Sequence, residues 1–201
     1  MSLQTDPLYP QETAHEYSLP LRRPGAGLFA TAMLAACGTL GAFQAMAYSQ
    51  DALPADVRVP GGHKVAWETV GKGEITYECR AKADAKDQAE WVFAGPKAVL
   101  NDRQGKQVGT YYGPPATWEA ADGSKLTGTQ VAVAPAGAGN LPYQLVKANP
   151  AMGAGALTGV AYIQRTALKG GVAPQTPCTT ATLGQRSQVA YQADYIFWKA
   201  D

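Results

Sequence analysis

Apolar and polar residues alternate with a period of two along much of this chain. Across residues 74–80, Ile75, Tyr77 and Cys79 fall on one side, and Glu74, Thr76, Glu78 and Arg80 on the other. Successive side chains of a strand point to opposite faces, so this segment predicts a strand with one buried face. Residues 63–69 read the same way, with Val65 and Trp67 together. Gly71-Lys72-Gly73 between the two segments reads as a hairpin turn. Residues 189–198 alternate as well, but there both faces are largely apolar, which predicts a central strand buried on two sides.

Turn chemistry divides the rest. Asp102-Arg103-Gln104-Gly105 separates strand-like residues 97–100 and 106–112, and Asp122-Gly123 separates 117–120 from 125–134. Asp and Gly at such sites supply the backbone conformations that tight hairpins need. Residues 89–93 predict a short aromatic strand, residues 81–88 a loop or one helical turn, and residues 157–166 another strand. The pattern over residues 143–148 fits a short helix and a short strand equally. Residues 170–182 form a Pro/Thr-rich loop that holds Cys178. Many short strands with turns between them predict a single-domain, all-β antiparallel sandwich or barrel with long loops.

The N-terminal stretch breaks this pattern. Residues 24–50 are free of charge until Asp51, follow Arg22 and Arg23, and end in Ala45-Met46-Ala47. A basic flank, an apolar centre and a small-residue exit are the layout of a secretory signal. The expected organisation is a leader over residues 1–47, cleaved after Ala47, a lead-in over 48–62 and the β domain over 63–201. An uncleaved anchor is one alternative. Lipidation at Cys37, in Leu34-Ala35-Ala36-Cys37, is another. A membrane is a partner only in those two cases. The expected location is exported, periplasmic or secreted.

Export changes the meaning of the cysteines. Cys79 and Cys178 are the two that remain after residue 47. Two cysteines in an oxidising compartment predict one disulfide. A zinc site needs clustered Cys and His, and His63 is the only histidine left, so no metal and no cofactor are expected.

Charge is nearly balanced, with 17 Lys and Arg against 16 Asp and Glu. No basic run follows a phosphate backbone, which argues against nucleic acid as a partner. Neither a Gly-x-Ser-x-Gly elbow nor a phosphate-binding glycine loop occurs. These gaps favour a non-catalytic binding or surface-interaction module. Its expected face comprises Tyr111, Tyr112, Trp118, Glu119 and Asp122, because aromatics near turns suit a glycan or another cell-envelope component. The rival is an extracellular polysaccharide-active enzyme using a carboxylate pair, with Glu119, or Asp194 beside Arg165, as its acids. A structural envelope protein is a third reading. Asp194 shares a face with Ile196 and Trp198, and its expected partner in a structural ion pair is Arg165.

Several segments in order resemble a family of exported bacterial and fungal proteins catalogued as a domain of unknown function, family 3455. They are Tyr77-Glu78-Cys79, residues 91–96 (Trp-Val-Phe-Ala-Gly-Pro), Gly113-Pro114 with Thr117-Trp118-Glu119, and Asp122-Gly123-Ser124. Residues 160–165, residues 170–174, Cys178 and residues 191–195 continue the series. The family pattern has a histidine before Tyr-x-Gly-Pro, where this chain reads Thr110-Tyr111-Tyr112-Gly113-Pro114. The resemblance implies fold and export, and no activity.

Overall fold

The computed structural model describes residues 48–201; the leader, its cleavage site and Cys37 lie outside the described residues. Eight strands follow in order: β1 (His63–Ala81), β2 (Ala89–Asn101), β3 (Gln107–Tyr112), β4 (Thr117–Ala120), β5 (Lys125–Ala134), β6 (Tyr143–Ala148), β7 (Val160–Gly170) and β8 (Arg186–Ala200). Each pairs antiparallel with the next, and β8 returns to β1, closing a barrel. Of the two β architectures expected, the barrel forms. Closure gives every strand a partner on both sides, except where a long strand overruns a shorter neighbour.

Two stretches form longer strands than their turn signals predict. Residues 63–81 form one strand, with no turn at Gly71-Lys72-Gly73. Those glycines instead make room inside the barrel. A Cβ at Gly71 would meet the Tyr195 ring at 2.7 Å, and one at Gly73 would strike the Lys97 carbonyl. Residues 89–93 and 97–100 likewise belong to one strand, β2. A bulge separates them: Thr76 pairs with Gly95 and Tyr77 with Phe93, so Ala94 is the extra residue. Residues 143–148 form a strand, which resolves that ambiguity.

Directly paired residues share a face, so the register reads out the interior. Trp67, Ile75, Leu100, Trp118, Leu126, Ile163, Tyr195 and Phe197 point inward and form the main core with their neighbours. Inward side chains fill a barrel of this strand number. At one end, here the lower, Leu157 from the β6–β7 loop is wholly buried against this core.

A second core lies outside the barrel. Residues 48–59 cross its wall, and Val57 and Val59 pack with Leu145, Ile196 and Trp198. Gln164 fastens this strap: its Nε2 donates to the Val57 carbonyl at 2.7 Å and to Gln50 Oε1 at 2.9 Å, and its Oε1 accepts from Trp198 Nε1. The strap explains why β8 is apolar on both faces. Phe197 faces the barrel core, while Ile196 and Trp198 face the strap.

At the upper end, the β7–β8 loop is clipped to β1. Cys79 and Cys178 form the disulfide, 99 residues apart. The Cys79 amide donates to the Gln185 carbonyl, and the Cys79 carbonyl accepts from Gly184. Trp91 Nε1 donates to Thr176 on the same loop.

Candidate functional site

The outer surface of β1, β2 and β3 carries an open groove of about 1210 Å³. Its floor follows from strand alternation. Lys72, Glu74 and Thr76 point outward from β1, Lys97 and Val99 from β2, and Thr110 and Tyr112 from β3. A smaller concavity adjoins it at Thr110 and extends to Glu119 and Ala120 on β4. Together they form a trough across four adjacent strands.

Tyr112 forms part of its wall, 38 % exposed. Its hydroxyl donates to Glu119 Oε2 at 2.7 Å. That bond, then burial, raises the Tyr112 pKa, so the phenol remains a donor near neutrality. Arg80 and Arg186 flank the groove and both contact Glu78, at 3.0 and 2.9 Å. The Arg80 hydrogen bond, followed by that from Arg186, holds the Glu78 carboxyl below its usual range. Lys72 and Lys97 form no ion pair among the described residues. The groove contains one carboxylate, Glu74, which accepts from Gln188 at 2.7 Å.

The five residues expected to share one face are divided among three places. Tyr112 and Glu119 stand together on the outer wall. Tyr111 and Trp118 do not join them: they pair across β3 and β4 and stack inside the barrel, with ring centroids 4.7 Å apart. Their exposures of 5 % and 1 % place them in the core. Adjacent positions of a strand face opposite ways, so Tyr111 and Tyr112 cannot both present their rings to one surface.

Asp122 lies at the lower end, in the β4–β5 hairpin. Its Oδ1 accepts from the Ser124 amide at 2.9 Å and the Ser124 hydroxyl at 2.6 Å, and its Oδ2 from the Ala156 amide at 2.7 Å. This carboxylate ties the hairpin to the β6–β7 loop. The Ser124 hydroxyl, then the backbone amides, lower its pKa. The folded pKa lies below the unfolded one, so the resulting stabilisation is present above the unfolded value. It is lost as pH falls through the folded value. An NMR pH titration should place the Asp122 carboxyl midpoint below the usual aspartate range, and Ser124→Ala should raise it. An ordinary midpoint would contradict this reading.

The expected ion pair between Arg165 and Asp194 does not form. Arg165 is opposite Tyr195 and faces inward, whereas Asp194, one residue earlier on β8, faces outward. Asp194 instead meets Arg103 of the β2–β3 hairpin at 2.5 Å, and Arg103 also contacts Glu68 at 2.6 Å. The β7–β8 register separates Arg165 from Asp194, and the chain's period does not reveal that a turn residue, Arg103, reaches Asp194. The outward lysines of the groove were equally hard to identify, because charges on alternate strand positions look like any solvated face.

Among the described residues, no group of three or more His, Cys, Asp or Glu side chains could hold a metal. No described helix is long and apolar enough to cross a membrane. A family model described as "Protein of unknown function (DUF3455)" matches residues 60–199, in agreement with the motif resemblance. No curated protein and no solved structure matches the chain.

Proposed function

Because the chain belongs to the family of proteins of unknown function DUF3455, which brings no activity with it, we propose from the barrel's own surface that it is a binding module. Its ligand is a glycan of the cell envelope or its surroundings, held without chemistry along the outer groove of β1–β3. The observation that carries this reading is the trough itself: about 1210 Å³ of open groove with the exposed ring of Tyr112 on its wall. A sugar ring presents C–H patches to an aromatic face and hydroxyls to polar neighbours. Tyr112, Glu119, Thr110 and the two lysines supply both kinds of contact.

The hydrolase reading finds less support. A two-carboxylate mechanism needs its acids across one cleft, about 5–10 Å apart. Glu119 is bonded to Tyr112, Asp122 is consumed by its hairpin, and Asp194 is held by Arg103. The disulfide is compatible with work outside the cytoplasm.

Calorimetric titration with a panel of envelope glycans tests the proposal. Tyr112→Ala should weaken binding by about 0.5–1.5 kcal/mol, roughly twofold to twelvefold, the worth of one aromatic contact. Failure of every glycan to bind, or equal affinity in the variant, would remove this function.

A further inference from the structure

The upper mouth of the barrel contains a second arrangement, distinct from the outer groove. Its wall is low on one side. Lys97 is the last β2 residue paired to β3 at that end, and Thr127 the last β5 residue paired to β4. Beyond them β2 runs on to Ala89 and β5 to Ala134 without those partners. The short β3–β4 hairpin therefore leaves a notch between two taller strands.

Residues at this end face inward yet remain open to solvent. Phe93 pairs with inward Tyr77 and is 49 % exposed; Val133 pairs with Gln144, itself opposite Arg165, and is 44 % exposed. Arg165 is the one charged side chain among the described inward positions here. Its Nε and one Nη donate to the Pro142 carbonyl, at 3.3 and 3.0 Å. It forms no ion pair with any described carboxylate.

A guanidinium has five N–H donors, so this one keeps donors beyond those used by Pro142. Its charge reaches Tyr77, Tyr111, Tyr191 and Tyr195. Burial raises all four phenol pKa values, so they remain neutral and none compensates the cation. Tyr77 donates to Gly171 at 2.7 Å, while the Tyr191 and Tyr195 hydroxyls share a bond at 3.3 Å. Thr69 Oγ1 and Trp118 Nε1, deeper on the same inner face, have no hydrogen-bond partner among the described residues. A cation held on an inner wall without an acid costs desolvation that an incoming anion offsets.

We infer that the upper mouth is a binding site for a small amphipathic carboxylate, with Arg165 receiving the carboxylate and the rim of Phe93 and Val133 covering its hydrocarbon or aromatic body. Arginine suits this role because its planar fork matches a carboxylate at two points. The apolar rim selects against free phosphate, which has nothing to place there.

Titration with octanoate and with phenylacetate, followed through the Arg165 Nε–Hε resonance by NMR, tests this assignment. Octan-1-ol and inorganic phosphate serve as uncharged and apolar-free controls. The acids should shift the Arg165 signal saturably, and neither control should do so. Arg165→Gln should weaken the binding of both acids about tenfold or more. Should that variant fail to fold, Phe93→Ser at the exposed rim should weaken octanoate severalfold. An unmoved Arg165 signal at millimolar acid would overturn the site. So would shifts confined to Lys97 and Thr110 of the outer groove, or unchanged affinity in a folded Arg165→Gln or Phe93→Ser protein. Glycan binding in the groove does not depend on this result.

Discussion

Replacing both Cys79 and Cys178 by serine is expected to lower stability by on the order of 4 kcal/mol, the largest effect available from two atoms. The bridge spans 99 residues, and the chain-entropy cost imposed on the unfolded state grows with the logarithm of that span. Six of the eight strands, β2 to β7, lie within the closed loop, and its ends sit at the end of β1 and the approach to β8. A domain with about 5–15 kcal/mol of total stability would lose a large share of it. The folded state bears part of the change locally. The Cys79 amide and carbonyl still meet Gln185 and Gly184, so the base of the β7–β8 loop should stay docked. Its outer part, near Thr176, should exchange amide protons faster. Denaturant melts of the oxidised protein and the double-serine variant measure the first effect, and hydrogen exchange the second. Coincident midpoints would show that the bridge adds nothing beyond the contacts around it.

The chain discloses its class more readily than its site, for a physical reason. Alternation in residues 74–80 and 189–198 reports directly which face is buried, so strands and core follow from it. Turn chemistry at Asp102–Gly105 and Asp122-Gly123 reports hairpins equally well. Glycine is ambiguous: Gly71 and Gly73 satisfy a turn and a crowded strand alike, and only the Tyr195 ring and the Lys97 carbonyl on the two neighbouring strands decide between them. Closure is also hidden, because the β8–β1 pairing joins the two ends of the domain. Tyr111 and Tyr112 are adjacent on one strand, so the period of two alone puts them on opposite faces. Arg165 and Asp194 belong to different strands, and only the β7–β8 register, with Arg165 opposite Tyr195, separates them. What no period contains is the strap, whose Val57 and Val59 cover the far face of β8.

Trp118→Ala is expected to cost about 3–5 kcal/mol, whereas Tyr112→Ala should cost under about 1 kcal/mol. Both are aromatic, both flank the same Gly-Pro turn, and both looked equally suited to a ligand face. Trp118 stacks on Tyr111 and meets the Tyr195 ring edge-on at 5.8 Å, with its side chain enclosed. Truncation there leaves a void bounded by strands that hydrogen bonds hold at fixed spacing, so the barrel has little freedom to collapse into it. Its indole Nε1 has no partner among the described residues, so the loss is one of packing rather than of a hydrogen bond. Tyr112 lies on the outer wall, where water replaces the lost ring and Glu119 is resolvated. Urea melts of the two variants against the parent protein should separate them by at least about 2 kcal/mol. Equal losses would mean that the inner and outer faces of β3 and β4 have been exchanged, and with them the groove assigned to the ligand.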